Sequence, residues 1–172
     1  MISVSLREEV RSDFDEIRTL LINAFEGFEE ANLVEKIRTS EFYIPELSIV
    51  ALHKKKIVGH ILFSKINITN GDSSVPSLAL APVSVLKKFQ GSGVGSKLIM
   101  KGLEKAPLLG FKSVILLGHA DYYPRFGFEP TTIWEVKPPF DVPAENFMGL
   151  ELVPKGLDIK NGMVKYPDIW GL

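Results

Sequence analysis

The sequence predicts an α/β domain in which helices flank a mixed sheet, and three observations lead to that prediction. The chain has 172 residues, a length that suits one domain with a hydrophobic core. Segments with strand periodicity alternate along the chain with segments of helical periodicity. A glycine-rich segment, QGSGVGSK, joins an apolar strand to a helix. The predicted order is a strand, two helices, three strands, a helix, a strand, a short helix and further strands.

Two helices are predicted after a first strand over residues 2–8. Ser12 is expected to cap the first helix, in which apolar residues recur at helical spacing. The second helix is expected over residues 29–40, and Pro45 closes the helical region. The residues expected to face the core are Phe14, Ile17, Leu20, Leu21, Phe25, Leu33, Val34 and Ile37.

Three strands are predicted next. An antiparallel hairpin is expected over residues 47–68, with a charged turn near 54–56 and a bulge at Gly59. Asn70-Gly71 is a strong turn dipeptide. The segment LALAPVSV that follows is almost wholly apolar, which is typical of a strand buried on both faces.

The second half of the chain is predicted to be helix, strand and a proline-rich extension. Pro107 should break or kink the helix near its end, because proline lacks the N–H donor and clashes with the preceding turn. FKSVILLG predicts a buried strand, and MGLELV and GMVKY predict short strands. We expect residues 1–172 to form one domain, with a core over residues 2–133 and an extension over residues 134–172.

Composition excludes several classes of function. The net charge of −1 gives no reason to expect nucleic acid or an anionic membrane as a partner. The absence of cysteine excludes disulfides, cysteine-ligated zinc and a thiol nucleophile. No apolar run approaches 18 residues and no signal-peptide pattern begins the chain, so we expect a cytoplasmic protein without a membrane span.

Gly91, Gly93 and Gly95 alternate in the segment that opens the predicted helix. The first turn of a helix carries unpaired N–H groups and the positive end of the helix dipole, which together favour an anion. Without side chains at these positions a diphosphate can reach the backbone amides directly. A tight turn that needs glycine for its backbone geometry alone is the alternative, and the alternation favours the anion site.

Two common phosphate motifs do not fit this segment. The nucleoside-triphosphate loop requires Gly-Lys-Ser/Thr, whereas here Gly95 is followed by Ser96, and Lys97 by Leu98. The dinucleotide fingerprint requires G-x-G-x-x-G and a later acid, whereas the next strand here ends without one.

The pattern Gln90-x-x-Gly93-x-Gly95 after an apolar strand resembles the coenzyme A pyrophosphate loop of the GNAT family of acyl-CoA-dependent N-acetyltransferases. The predicted order of elements is also that family's order, and the resemblance covers residues 2–133. It implies a mixed, mostly antiparallel central sheet flanked by helices, acetyl-CoA as co-substrate and no metal. The residues it implies for coenzyme binding are Val83, Ser84 and Val85 along the pantetheine arm, and Gln90, Gly91, Ser92, Gly93, Val94, Gly95 and Ser96 around the diphosphate.

A second motif supports the resemblance. Tyr123-Pro124-Arg125-Phe126-Gly127-Phe128 is similar to the Tyr-x-x-x-Gly-Phe pattern that the family carries on and after its last helix. The resemblance implies that Tyr123 protonates the departing thiolate of coenzyme A. A phenol, with an ordinary pKa of about 10, is protonated at neutral pH and can donate. Phe126 and Phe128 are interpreted as core aromatics, and Arg125 as a phosphate contact or a surface ion pair.

The chain departs from the family pattern at two points. Pro107 stands where relatives usually have a helix-compatible residue, which affects the expected length of that helix. The asparagine often found before the last helix has no clear counterpart, although His119 and Asp121 stand nearby.

The general base and the acceptor stay open at this point. An attacking amine must lose a proton. The candidate general bases that could remove this proton are Glu26, Glu29, Glu30, His60 and His119. A small-molecule amine and a protein amine both remain as acceptors, and a non-catalytic acyl-CoA sensor and a nucleotide-binding protein remain as alternative functions. The aromatic residues of the extension could line a pocket, cover a sheet edge or pair with a second subunit in a homodimer; they are Trp134, Phe140, Phe147 and Trp170.

Overall fold

The structure, a computed structural model, describes residues 2–172 and contains a mixed sheet of eight strands and three α-helices over that range. The elements are β1 (Ser5–Glu8), α1 (Phe14–Phe25), α2 (Glu29–Arg38), β2 (Ser48–His53), β3 (Lys56–Asn70), β4 (Ser73–Val85), α3 (Val94–Leu108), β5 (Ser113–Leu117), β6 (Glu129–Pro130), β7 (Phe147–Glu151) and β8 (Met163–Lys165). The strand β4 pairs in parallel with β5, whereas β1–β2, β2–β3, β3–β8, β5–β7 and β6–β7 are antiparallel. The predicted fold class is therefore confirmed.

The chain divides into two compact units. The first comprises the chain up to Ser64 together with Ala81–Lys105, and the second comprises Lys65–Leu80 and Ala106–Leu172. The long strands β3 and β4 each contribute residues to both units. The expectation of one domain over residues 1–172, with a core over residues 2–133 and an extension over residues 134–172, stays a prediction.

The first unit contains the strand order β1-β2-β3-β4 and the helices α1 and α2. Ile17, Leu20 and Leu21 of α1 and Val34 and Ile37 of α2 are buried, as their spacing predicted. Two other expectations for these helices are wrong, because Phe25 is 39% exposed and the buried neighbour in α2 is Ala31 rather than Leu33.

The predicted cap of α1 is also wrong. Ser12 lies inside a short 3-10 turn, Arg11–Asp13, and α1 begins one residue after that turn. The carboxylate of Asp13 accepts the N–H of Val10 at 2.7 Å and a bidentate pair from Arg7. The aspartate therefore closes the turn that the serine was expected to close.

The β2–β3 hairpin carries the predicted bulge. The register shifts between the pairs Ala51↔Gly59 and Leu52↔Ile57, which leaves one extra residue, Val58, on β3. The turn at Lys54 and Lys55 has positive φ angles, consistent with a tight reversal between the strands.

Two glycines allow α3 and β3 to approach closely within the first unit. A methyl group at Gly59 would lie 2.9 Å from Val94 Cγ1 and 3.0 Å from Leu98 Cδ1. A methyl group at Gly102 of α3 would lie 2.1 Å from Cε1 of the fully buried Phe63. Since carbon atoms in contact lie about 3.5–4.0 Å apart, neither position has room for a side chain.

The second unit is built on β4, β5, β7 and β6, with β8 beside β3. Leu78 and Ala79 face Val114 and Ile115 across the parallel pair. The predicted C-terminal strands are confirmed as β7 and β8, and the two-residue strand β6 was not predicted. The segment predicted as a short helix after β5 is a 3-10 turn over Tyr123–Phe126.

The aromatic residues of the C-terminal extension mostly pack inside the second unit. Phe140 contacts Phe147 edge-on at 5.9 Å and stacks on Tyr166 at 6.0 Å, and Tyr166 contacts Trp170 at 4.9 Å. These rings pack on a buried apolar cluster that includes residues of β3, β4 and β5. Trp134 also lines a cavity of about 540 Å³.

We expect Gly102→Ala to lower the free energy of unfolding by about 1–3 kcal/mol, because the added methyl group overlaps the Phe63 ring and the core must shift. Alanine favours a helix by about 1 kcal/mol over glycine, so an unchanged or raised stability would show that the ring moves freely aside. Gly27→Ala, in the turn between α1 and α2, is the control for an added methyl group without a clash, since nothing lies nearer than 4.0 Å to a methyl group there. Urea denaturation of the three proteins measures the difference.

Candidate functional site

The glycine segment forms an open turn between β4 and α3. Gly91 and Gly93 have φ angles of +77° and +88°, a left-handed conformation that side chains disfavour. A methyl group at either position would meet nothing within 4 Å, so the backbone here borders open space. Gly95 is the second residue of α3. The glycines therefore serve the turn geometry at 91 and 93 and, in addition, leave its outer side uncovered.

Side chains of the same segment hold the turn in place. The Gln90 side-chain amide donates to the carbonyl of Val85 at 3.1 Å, across the turn from the end of β4. The Ser92 hydroxyl donates to the carbonyl of Phe89. These contacts fix the turn from within and leave the glycine amides to other partners.

The first turn of α3 offers backbone donors to a ligand. At the start of the helix the Lys97 N–H donates to the Gly93 carbonyl at 3.1 Å. The amides of Val94 and Gly95 are the first two of α3, so they have no carbonyl partner inside the helix. Together with the positive end of the helix dipole, they make this turn suitable for an anion.

The residues predicted to run beside the pantetheine arm lie at the end of β4. Ser84 is buried, and its hydroxyl donates to the carbonyl of His60 on β3 at 3.3 Å. Val83 and Val85 are partly exposed. The first unit thus contains all of the predicted coenzyme-binding residues, in the order strand end, 3-10 turn, glycine turn and helix start.

Tyr123 belongs to the second unit, where it begins the 3-10 turn after β5. Its ring packs edge-on against Tyr122 at 5.1 Å and Phe128 at 6.0 Å. A methyl group at Gly118 would lie 2.4 Å from Cε2 of Tyr123, so glycine is required there for the ring to take this position. Burial, with a smaller contribution from Tyr122, raises the pKa of the Tyr123 phenol, which keeps it protonated well above neutral pH.

Two other residues of the aromatic motif, Arg125 and Phe126, contact Tyr122, and Phe128 lies in the core. Phe128 is buried, as predicted, whereas Phe126 is only partly buried and contacts Tyr122 edge-on. Arg125 donates to the Tyr122 carbonyl at 2.8 Å, and its guanidinium lies 4.5 Å from the centre of the Tyr122 ring. Arg125 therefore makes a local cation–π contact. Of the two roles expected from the sequence, the structure shows no ion pair of Arg125 among residues 2–172, and the phosphate contact stays a prediction.

The candidate general bases differ in their exposure and in their contacts. Glu26 is exposed and forms an ion pair with Lys87, which precedes the glycine turn. Glu29 and Glu30 begin α2, where negative charge stabilises a helix start. His60 is 0% exposed, so an acceptor amine cannot reach its ring. His119 lies at the surface after β5.

A buried polar cluster, which we call the Glu9 cluster, surrounds His60 in the first unit. The carboxylate of Glu9 accepts two hydrogen bonds from Arg38, at 2.7 and 3.1 Å, and one from the Tyr43 hydroxyl at 2.9 Å. It also accepts the hydroxyl of Ser48. His60 Nε2 lies 3.0 Å from both Glu9 Oε1 and Ser48 Oγ.

The protonation of the Glu9 cluster follows from these contacts. Burial alone would raise the pKa of Glu9, but the hydrogen bonds from His60, Arg38 and Ser48 outweigh it and hold the pKa well below its usual value. Burial lowers the pKa of His60, so the ring is neutral and donates from Nε2. Among residues 2–172, His60 Nδ1 has no hydrogen-bond partner.

Sequence reasoning considered His60 but missed the other members of this cluster. Glu9 and His60 are 51 positions apart, and Glu9 and Ser48 are 39 apart. No local pattern links such positions, and only the isolated histidine on an apolar strand was a signal.

Within residues 2–172 no group of three or more histidine or acidic side chains is arranged to hold a metal ion. Over the same range, every helix is too short or too polar to cross a lipid bilayer.

Comparison with known proteins identifies the family to which the chain belongs. Residues 14–128 match the model of the acetyltransferase (GNAT) family. The uncharacterized N-acetyltransferase YjhQ of Escherichia coli is 40% identical over 137 residues, which are 79% of this chain and 76% of that protein. The chain therefore belongs to the GNAT family of acetyltransferases.

Solved structures agree with this assignment. The GNAT family N-acetyltransferase YhbS of Escherichia coli, solved in complex with CoA, superposes with a TM-score of 0.91 at 25% identity and covers 100% of this chain and 94% of its own. A GNAT family acetyltransferase from Brucella melitensis in complex with acetyl-CoA has a TM-score of 0.79 at 30% identity, covering 99% of each chain.

We expect the stability of the protein to fall as the pH is lowered below about 6.5, the ordinary pKa of histidine. Because the pKa of His60 is lower in the folded state, the unfolded chain binds the proton first and the stability present above pH 6.5 is progressively lost. Glu9 adds a second loss below its ordinary pKa of about 4.3, since its folded pKa is also lowered.

Urea denaturation between pH 7.5 and 4 tests this expectation. His60→Gln is the control, because glutamine keeps a donor near the Nε2 position but does not titrate. Its stability should change less than that of the wild type between pH 6.5 and 5. Parallel curves for the two proteins would contradict the assignment to His60.

Proposed function

We propose that this protein is an acetyl-CoA-dependent N-acetyltransferase that moves the acetyl group directly to a primary amine. The observation that carries the proposal is the open glycine turn in front of α3, in which Gly91 and Gly93 have left-handed conformations and open space where their side chains would lie. Such a turn suits a diphosphate, and the bound CoA and acetyl-CoA of two related GNAT proteins support a coenzyme of this class here.

In this proposal the diphosphate of coenzyme A binds to the segment from Gln90 to Ser96. The amides of Val94 and Gly95 donate to phosphate oxygens, and Gln90 and Ser92 hold the turn rather than contact the ligand. The backbone of Val83–Val85 pairs with the amides of the pantetheine arm. The Ser84 hydroxyl takes no part in that pairing, because it donates to the His60 carbonyl.

The reaction is the attack of a neutral amine on the thioester carbonyl. A carbon–nitrogen bond forms, the carbon–sulfur bond breaks, and the electron pair of that bond leaves with the sulfur as a thiolate. We assign to the Tyr123 hydroxyl the proton that this thiolate takes up. The attacking nitrogen loses one proton as the amide forms, and that proton passes to water, from which the Tyr123 phenolate is reprotonated, so that the products are the amide and the free thiol. Burial raises the pKa of the phenol, so Tyr123 carries its proton at neutral pH and has one to donate.

The absence of cysteine and the contacts of Ser84 support direct transfer. The chain has no cysteine, so no thiol can carry the acetyl group. The hydroxyl of Ser84 is buried and donates to a backbone carbonyl, and no base lies beside it to activate it. The acceptor, a small-molecule amine or an amine of a protein, therefore attacks the coenzyme-bound acetyl group itself.

A non-catalytic acyl-CoA sensor is the second candidate. The burial of His60 and the pairing of Glu26 with Lys87 remove two of the candidate bases, which is what a sensor without catalysis would tolerate. Release of free coenzyme A thiol in an amine screen distinguishes the two, since a sensor binds the coenzyme and releases none.

Gly93→Ala should weaken coenzyme A binding by about tenfold or more, because the methyl group occupies the open side of the turn and the φ of +88° strains alanine. Gly71→Ala is the matched control, since Gly71 also has a positive φ, +57°, and open space around it, but lies in the turn between β3 and β4. Both variants should lose similar stability, and only Gly93→Ala should lose affinity in isothermal titration calorimetry. Equal affinities would contradict the assignment of the turn.

Tyr123→Phe should lower turnover by about 10- to 10⁴-fold, because the thiolate then leaves without a proton donor. Coenzyme affinity should stay within about twofold, since the ring and its packing are kept. Tyr166→Phe removes the hydroxyl of a partly buried tyrosine in the same unit, in the C-terminal aromatic cluster, and should leave turnover unchanged. Thiol release with a reactive amine measures both, and unchanged turnover in Tyr123→Phe would rule out its role as the acid.

A further inference from the structure

We propose that the Glu9 cluster is a positioning device for coenzyme binding, in which His60 holds the segment of β3 that supports the end of β4 and the start of α3. This inference rests on the proposed function, because the ligand it concerns is coenzyme A. Neither Glu9 nor His60 is accessible to a ligand, so any effect on binding must pass through the residues that they hold.

The cluster joins five separate segments of the first unit at one carboxylate. Glu9 follows β1, Arg38 ends α2, Tyr43 lies between α2 and β2, Ser48 begins β2, and His60 lies on β3. Arg38 supplies the compensating charge through a nearly buried bidentate ion pair. Charge-assisted bonds of this kind are short and directional, so they fix the position of the Glu9 carboxylate. The carboxylate in turn fixes the direction of the His60 ring, whose Nε2 lies 3.0 Å from Glu9 Oε1.

The backbone around His60 contacts the elements that flank the glycine turn. The His60 carbonyl accepts the hydroxyl of Ser84, and the Val58 carbonyl accepts the N–H of Leu86 at 2.9 Å. Between them, Gly59 lies so close to α3 that a methyl group there would overlap Val94 and Leu98. Three consecutive residues of β3 therefore contact the end of β4 and the first turns of α3.

Of these three residues, Val58 is the extra residue of the β3 bulge, and Gly59 and His60 follow it, paired with Ala51 and Val50 of β2. A bulge leaves one residue outside the ladder, so the ladder alone does not fix the strand at this point. The His60 side chain, held by Glu9 and Ser48, supplies a fixed contact directly beside the bulge. Without this contact, the segment of β3 that supports Ser84 and Val94 would be held less firmly in position, whereas most of the core packing would remain.

Coenzyme A titrations of two His60 variants test this inference. His60→Leu removes the donor to Glu9, and His60→Gln keeps a donor near the same position. We expect His60→Leu to bind coenzyme A about 5- to 20-fold more weakly than the wild type, and His60→Gln to bind within about threefold. Rescue by glutamine is the readout that a general loss of stability would not produce.

Two further variants complete the test. Ser64→Ala changes another buried polar side chain of β3 outside the cluster and should leave coenzyme affinity unchanged. Tyr43→Phe removes one part-buried hydrogen bond to Glu9 and should weaken coenzyme A binding about two- to fourfold. This variant tests the inference if His60→Leu does not fold.

Each outcome bears on one of the two proposals. No binding by the wild type would overturn the proposed function and this inference with it. Binding by the wild type with unchanged affinity in folded His60→Leu, or in Tyr43→Phe if His60→Leu is unfolded, would overturn the inference alone. Equal weakening in His60→Leu and His60→Gln, or in Ser64→Ala, would also overturn it, because the Nε2 donor would then not be the cause.

Discussion

The close approach of α3 to β3 is the constraint on which the candidate site depends. Two glycines, Gly59 on β3 and Gly102 on α3, leave out the methyl groups that would otherwise hold the two backbones apart. Gly59 lies against the first turns of α3, and Gly102 receives the ring of Phe63 further along the helix. With both contacts made, the direction of α3 is fixed at two points. The start of the helix, and with it the orientation of the amides of Val94 and Gly95, follows from that direction.

The buried charges of the first unit serve a different purpose from its apolar core. Removing a carboxylate and a guanidinium from water is costly, and the attraction between them only partly offsets that cost. Apolar residues of similar volume would give at least comparable stability. What apolar residues cannot supply is direction, because a hydrogen bond constrains angle as well as distance. The pairing of Glu9 with Arg38 and His60 therefore fixes where the segments meet, and this is consistent with its place beside an irregular part of β3.

The sequence predicted the features that local geometry determines. The glycine turn was predictable because a helix start with alternating glycines has a distinct backbone requirement, and the bulge because Gly59 interrupts a strand pattern. The cap of α1 was wrong because Asp13, one residue after Ser12, binds the N–H of Val10 and closes a 3-10 turn instead. The Glu9 cluster was not predictable, since its members are brought together only by the sheet and α2. For Tyr123 the motif predicted a place shortly after β5, and the residue begins the 3-10 turn there. Its chemical role is a matter of its position relative to bound coenzyme and stays a prediction.

The pairing of β8 with β3 also has a consequence for biosynthesis. All residues of the first unit have been added once the ribosome reaches Lys105, so that unit can close early. Ile68, by contrast, pairs with Val164, and its neighbours pack under rings that include Trp170. The apolar face of β3 in the second unit thus has to wait for almost the entire polypeptide to be made. Until then it is an uncovered strand surface in the nascent chain, of the kind that chaperones protect from aggregation.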